Sequence, residues 1–435
     1  MPRLPQEVLE AILDHALSKP QSPPRYSSFP DLAFSHPRSR EDSQCLAALA
    51  LAFGKNNTKS IRACLWSTIT LSSTTMVGAL STGIAISKSR TNSHLYKFVQ
   101  VLHLDVRQYH SSTLARLVSF LPDLDTLCLR ASASQAWFYN KDLCNVLGYC
   151  DSQVRFKNLE VDSQYLGYHG IAYLLNQMEQ LESLKLSNVD PLSDGSPFNP
   201  SQHICLSIAE APKLIPAEFP SLSRLRSLVL SRCKLNTSQL AGILSSVRRT
   251  EHSVLSSLVL DLPLDDKAEN GQPIVNALQR LIPRLVFLHL DFGNVAYSLD
   301  NIAKSLPFDT LFVHGTVLLK DLILPATSFF PLSDGLEDFF IYLNTKARVT
   351  PTSLTLTLSP EWYWHGLKIF RETERIVDDH WLRELKVLKI TGLREEDLSR
   401  EGGLDGLEQR ITRINKDRRE MEQQVLKLKL EREPS

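Results

Sequence analysis

Residues 225–235 read Leu225-Arg226-Ser227-Leu228-Val229-Leu230-Ser231-Arg232-Cys233-Lys234-Leu235, with apolar side chains at the first, fourth and sixth places. The fourth and sixth alternate with their neighbours, the period-two signature of a short strand with one face buried. Working outward, the same apolar-x-x-apolar-x-apolar phrase occurs at Val99-Leu102-Leu104, Leu124-Leu127-Leu129, Phe156-Leu159-Val161, Leu181-Leu184-Leu186, Leu255-Leu258-Leu260 and Leu285-Leu288-Leu290. It continues at Phe308-Leu311-Val313, Leu336-Phe339-Ile341 and Leu385-Leu388-Ile390, making ten copies in all. Such recurrence marks a repeat architecture, in which no unit can bury its apolar side alone and each must stack on its neighbours.

Between the phrases, residues 112–120, 170–178, 237–247, 274–281 and 299–306 carry apolar side chains three and four apart, the spacing of an amphipathic helix. One strand and one helix per unit predict an α/β solenoid over 95–395. Phrase starts are separated by 25, 32, 25, 44, 30, 30, 23, 28 and 49 residues, so the array is irregular. The 44-residue interval holds the turn-rich run from Asp190 to Ser201. The 49-residue interval holds Leu354-Leu356-Leu358, which alternates cleanly without a first apolar position and reads as a further strand. The competing architecture is a doubly wound α/β sheet. Its strands would be near-continuous apolar runs because both faces are covered, whereas these phrases alternate.

Composition fits a folded chain: of 435 residues, 43% are hydrophobic and 22% charged. Lys plus Arg and Asp plus Glu both number 48, so the positive footprint of a nucleic-acid binder is missing and no nucleic-acid partner is expected. The seven cysteines are odd in number, scattered and without a CxxC pair, which indicates neither a disulfide framework nor a zinc site and suits a reducing compartment. Met1-Pro2-Arg3-Leu4-Pro5 leads into an amphipathic segment rather than a secretory signal. No apolar run approaches the roughly 20 residues that span a bilayer. The expectation is a soluble protein of the cytoplasm and/or nucleus, with no membrane partner. With no Gly-rich phosphate loop, nucleophile elbow or paired metal-ligand motif in the sequence, no cofactor and no enzymatic activity are expected.

The phrase resembles that of the leucine-rich-repeat family, LxxLxLxxN/CxL. Leu225, Leu228, Leu230, Cys233 and Leu235 match every position, Leu336-Phe339-Ile341 is followed by Asn344, and Asn188 stands one residue early after Leu181-Leu184-Leu186. The resemblance implies parallel strands on a concave side and helices on a convex side, with the Asn or Cys satisfying backbone groups in the turn that leaves the strand. Side chains flanking the buried leucines would then point outward and read a target. These are His103, Asp105, Cys128, Arg130, Lys185, Ser187, Val229, Ser231, Val259, Asp261, His289, Asp291, Phe312, His314, Lys389 and Thr391. Their mixed charge suggests an unknown protein substrate rather than a phosphate ligand.

At the N-terminal end, Leu4-Pro5-Gln6-Glu7-Val8-Leu9-Glu10-Ala11-Ile12-Leu13 reads as a helix with Pro5 at its first turn. A Pro- and Ser-rich insertion over 18–40 follows, then an apolar helix over 43–53 and the closing Leu65-Trp66-Ser67-Thr68-Ile69-Thr70-Leu71. This order resembles the F-box, in particular the F-box-like modules that precede leucine-rich repeats in fungal proteins, and it covers residues 1–73. The resemblance implies a small all-helical module that docks on a Skp-type adaptor of a cullin-RING (SCF) ubiquitin ligase while the repeats present a substrate. Leu4, Pro5, Val8, Leu9, Ile12 and Leu13 would contact the adaptor, with Leu46, Leu49 and Trp66 helping. The other reading of these helices is a cap over the first repeat, since an open solenoid must cover its end.

Over 396–435 the chain turns highly charged, and Leu404, Leu407, Ile411, Ile414, Arg418, Met421, Val425 and Leu428 fall alternately three and four apart. This is a heptad seam with Arg418 as a polar insert, predicting a C-terminal helix that self-associates through 404–428, caps the last repeat or stands alone. Trp362-Tyr363-Trp364-His365 reads as a binding hot spot or a hydrophobic plug. The pairs His103/Asp105 and His289/Asp291 could do acid-base chemistry, and Asp378-Asp379-His380 could touch a metal, yet nothing in the sequence supplies a nucleophile or anion hole beside them. The sequence therefore reads as a non-catalytic substrate-recognition subunit of an SCF-type ligase. A repeat scaffold without a ubiquitin role and, further off, a hydrolase are the alternatives.

Overall fold

Eight of the ten phrases fold into strands whose leucines are buried, and four further strands pair in parallel with them. The computed structural model describes residues 66–71, 95–105, 117–118, 121–130, 157–162, 180–189, 222, 224–235, 237–247, 254–262, 272–292, 296–298, 305–307, 319–325, 351–358, 373, 385–393, 404–420 and 425–432. The chain divides into two compact units, Met1–Pro220 and Ser221–Ser435.

In the first unit five strands pair in parallel and in chain order: β1 (Thr68–Leu71), β2 (Val101–Asp105), β3 (Thr126–Arg130), β4 (Asn158–Asp162) and β5 (Ser183–Ser187). The register carries the repeat, since Ile69, Leu102, Leu127, Leu159 and Leu184 are neighbours across the sheet. In the second unit the order is β6 (Ser227–Ser231), β7 (Ser257–Asp261), β8 (Phe287–Asp291), β11 (Asp321–Pro325), β12 (Ser353–Thr357), β13 (Val387–Leu393) and β14 (Lys427–Arg432). A separate parallel pair joins β9 (Ala296–Ser298) and β10 (Ser305–Pro307).

One carbonyl per repeat pins this register. Gln100 O accepts from the N–H groups of Asp125 and Thr126, both at 2.9 Å, and Asp125 O does the same for Lys157 and Asn158. Arg226, Ser256, Val286, Lys320 and Thr352 repeat the arrangement in the second unit. The turns that leave the strands are closed in two ways. Asn188 and Arg232 follow β5 and β6 in the left-handed region, at φ 57° and 53°, a conformation Asn tolerates better than most residues. Asn188 donates from Nδ2 to Asp162 Oδ1 at 2.7 Å, so its early position lets it reach back to β4. Cys233 is buried and donates its thiol to Ser231 O at 3.4 Å, the turn-closing role that the repeat phrase implies.

Between strands, α1 (Thr237–Ser246) and α2 (Gln272–Leu281) form where helical spacing predicts them and pack on each other. Pro273 sits in the first turn of α2, where its missing N–H removes no intrahelical bond. Ile274, Val275, Ala277, Leu278 and Leu281 are its buried stripe. The helices expected at 170–178 and, except for residues 117–118, at 112–120 lie outside the described residues.

Four expectations are corrected. The alternation predicted one solvated strand face, but β3, β4, β6, β7 and β8 bury four consecutive residues each. What separates the fold from a doubly wound sheet is strand order, which follows the chain within each unit, whereas a doubly wound sheet reverses at a switch point. Each unit is thus a solenoid-like α/β stack of the leucine-rich-repeat type. Second, residues 299–306 do not form one helix, because Ser305 and Leu306 belong to β10. Third, the strand beside β8 comes from Leu319-Leu322-Leu324 and not from Phe308-Leu311-Val313, which lies outside the described residues, as does Leu336-Phe339-Ile341. The strand read from Leu354-Leu356 is present as β12, and a buried Pro351 takes its first apolar position.

The fourth correction concerns the heptad seam. The C-terminal helix, α3 (Leu404–Glu420), stops short of Val425, and Leu428 lies in β14, in register with Leu388. A coiled coil through 404–428 is therefore excluded. Leu407, Ile411 and Arg418 are buried, with Arg418 Nη1 donating to Leu385 O at 2.6 Å. Asn415 further ties the helix to the strand entrance, donating to Leu426 O at 2.9 Å and accepting from its N–H at 2.7 Å.

Candidate protein-recognition face

The side chains between the two buried leucines of each strand form an in-register row. In the first unit that row runs Thr70, His103, Cys128, Glu160, Lys185. At its middle a buried carboxylate meets two partly solvated cations: Glu160 is 5% exposed, accepts from Lys185 Nζ at 2.9 Å, and lies 4.0 Å from Arg130. Cys128 points its thiol at the other oxygen, at 3.7 Å. Burial, and then the Glu160 charge, push the Cys128 thiol far above its usual range, so it stays protonated and serves as a donor. A second polar link flanks the row, where Asn158 Nδ2 donates to Asp125 Oδ2 at 2.8 Å and to Thr126 Oγ1 at 3.1 Å. Lys157 lies 3.8 Å from Asp125.

The second unit's row is Val229, Val259, His289, Ile323, Thr355, Lys389, Lys429. Its first five members are buried, and only its C-terminal end opens to solvent, at the half-buried Lys389 and exposed Lys429. Burial lowers the His289 pKa to about 4, leaving a neutral imidazole at neutral pH. One step along the strands, Ser231 Oγ donates to Asp261 Oδ2 at 2.8 Å. Burial raises the Asp261 pKa, opposed by that hydrogen bond and by the Arg232 charge.

The expected reading residues are thus placed unevenly. Arg130 and Lys185 come together on Glu160, and Ser231 meets Asp261, the neighbour in register of Asp291. Lys389 meets Lys429. His103 and His289 are buried rather than presented to solvent. The Asp105 side chain, Phe312 and His314 lie outside the described residues, as do Leu4, Pro5, Val8, Leu9, Ile12, Leu13, Leu46, Leu49, the aromatic run at 362–365 and Asp378-Asp379-His380. Trp66 is described and half-buried, immediately before β1. Glu160 was not singled out from the sequence, although it occupies the same place in its phrase as His103 and Lys185. Among the described residues no group of three or more His, Cys, Asp or Glu side chains is arranged to hold a metal ion.

No protein-family model matches this sequence, and no curated protein matches it. Among solved structures, the crystal structure of the Rad7 and Elc1 complex in yeast is similar at 17% sequence identity and a TM-score of 0.38. The match covers 83% of this chain and 87% of that one. Similarity at that level transfers neither partner nor activity.

Proposed function

We propose that the chain is a non-catalytic substrate receptor of an SCF-type ubiquitin ligase, held on a Skp adaptor by its N-terminal segment and on a target protein by its strand ladder. The observation that carries this reading is the double role of Leu65–Leu71. The segment that closes the F-box-like sequence also supplies β1, in register with β2 from Thr68↔Val101 to Leu71↔Leu104 and bonded from Gln100 N to Ser67 O at 2.9 Å. The F-box-like sequence therefore runs directly into the first strand of the ladder. The hydrolase reading is weakened by His289, which is buried away from the solvent side where a substrate would arrive.

Proximity labelling from the full chain in cells tests the proposal. Wild type is expected to label a Skp adaptor and a cullin. Leu9→Asp with Ile12→Asp is expected to lose both while retaining the labelled targets. Wild type that labels targets but neither ligase component would leave the scaffold reading in place and overturn the receptor.

A further inference from the structure

We propose that Pro23-Pro24-Arg25-Tyr26 is a docking motif for a partner's WW domain, a small fold that takes a proline-rich segment in an aromatic-lined groove. The motif stands in the Pro- and Ser-rich insertion over 18–40, which neither the F-box-like resemblance nor the repeats account for, and it holds the one Pro-Pro pair in the sequence. The insertion lies outside the described residues, but the covalent chemistry of proline applies to it in any fold. Each proline ring fixes its own φ at about −65°, and a residue that precedes proline is driven out of the helical region into the extended one. Ser22 and Pro23 both precede proline, so Ser22, Pro23 and Pro24 are all biased toward polyproline II.

Polyproline II has about three residues per turn and a rise of about 3.1 Å, so Pro23 and Tyr26 would share one edge, roughly 9 Å apart, with Arg25 on another. A segment already extended loses little conformational entropy on docking, which lets a short motif bind with few contacts. Tyr26 adds an apolar ring with a hydroxyl at its tip, suited to a pocket that is apolar at its walls and wet at its mouth. The same stretch also spells the Pro-x-x-Pro core of an SH3 ligand, with Pro20, Pro23 and a following cation at Arg25. Two features favour the WW domain. Lys19 and Ser22, which would enter an SH3 groove beside Pro20 and Pro23, are polar and suit aromatic walls poorly. Tyr26 has no role in the SH3 pattern, whereas it completes the other.

The motif is independent of the adaptor reading, which is tested at Leu9 and Ile12. Because β1 begins at Thr68, substitutions over 23–26 remove no residue of the strands. The test is biolayer interferometry of the purified full chain over an immobilised WW domain of the class that binds Pro-Pro-x-Tyr peptides, with an immobilised SH3 domain alongside. Wild type is expected to bind the WW domain. Pro24→Ala and Tyr26→Ala should each weaken binding about tenfold or more, while Arg25→Glu should change it by no more than about twofold. All three should keep the wild-type unfolding midpoint. A synthetic peptide of residues 19–30 should displace the bound chain and its Tyr26→Ala form should not, which carries the comparison if a substitution unfolds the chain. Three outcomes overturn the proposal: wild type that does not bind the WW domain, WW binding that Tyr26→Ala leaves unchanged, or SH3 binding in its place that Arg25→Glu abolishes and Tyr26→Ala spares.

Discussion

Glu160 illustrates how much one buried carboxylate decides. Its oxygens face Lys185 Nζ at 2.9 Å, Arg130 at 4.0 Å and the Cys128 thiol at 3.7 Å, so truncation would remove the acceptor that Lys185 and the buried Cys128 thiol share. Glu160→Ala is expected to cost about 1–3 kcal/mol in urea unfolding, with Lys185→Met costing less because that lysine is partly solvated. His289 sets a pH dependence. Its pKa is about 4 folded against 6.5 ordinarily, so as pH falls the unfolded chain takes up the proton first. The stability it contributes is full above 6.5 and is lost as pH falls toward 4, on the order of 3 kcal/mol over the window. His289→Gln should flatten that limb in a plot of melting temperature against pH. Asp261 acts with the opposite sign: its folded pKa lies above 3.8, so the proton it prefers to keep is lost as pH rises past that value, at a cost in stability. Asp261→Asn keeps an acceptor for Ser231 and should remove this component. None of this was legible in the phrase, which marks a place as facing away from the leucines but not as covered. Cover is a tertiary property.

At the scale of elements the sequence holds more strands of this form than its ten most regular phrases. Trp66-Ile69-Leu71, Leu319-Leu322-Leu324 and Val425-Leu428-Leu430 all fit the phrase, and all belong to strands of the ladder. The second competes with Phe308-Leu311-Val313, eleven residues earlier, and periodicity alone cannot rank two candidates in one interval. The third also fits the heptad, since Val425 and Leu428 satisfy a spacing of three as well as they open a strand. Only the alternation Leu426-Lys427-Leu428-Lys429-Leu430 tells them apart. Two substitutions probe this C-terminal element. Gly392 lies at φ 78° where β13 shifts register, and a Cβ there would run into Leu358 O. Gly392→Ala should therefore destabilise by a few kcal/mol, about the sum of backbone strain and displaced packing, measurable as a lower urea midpoint. Arg418→Ala should cost about 1–3 kcal/mol by leaving Leu385 O without its donor, and would be silent if α3 were a free helix.

For the molecule as a whole, sequential parallel order makes each strand the template for the next, so the boundary between module and repeats matters. Because β1 ends the F-box-like sequence, a deletion ending at residue 73 would strip a strand and expose β2, confounding any binding result. Paired point changes at Leu9 and Ile12 remove no strand of the ladder. The most direct measurement is therefore co-elution of the purified full chain with a purified Skp adaptor in size-exclusion chromatography, beside Leu9→Asp with Ile12→Asp. The proposal predicts a complex with wild type and separate peaks with the double variant at an unchanged melting temperature. Separate peaks with wild type would contradict it.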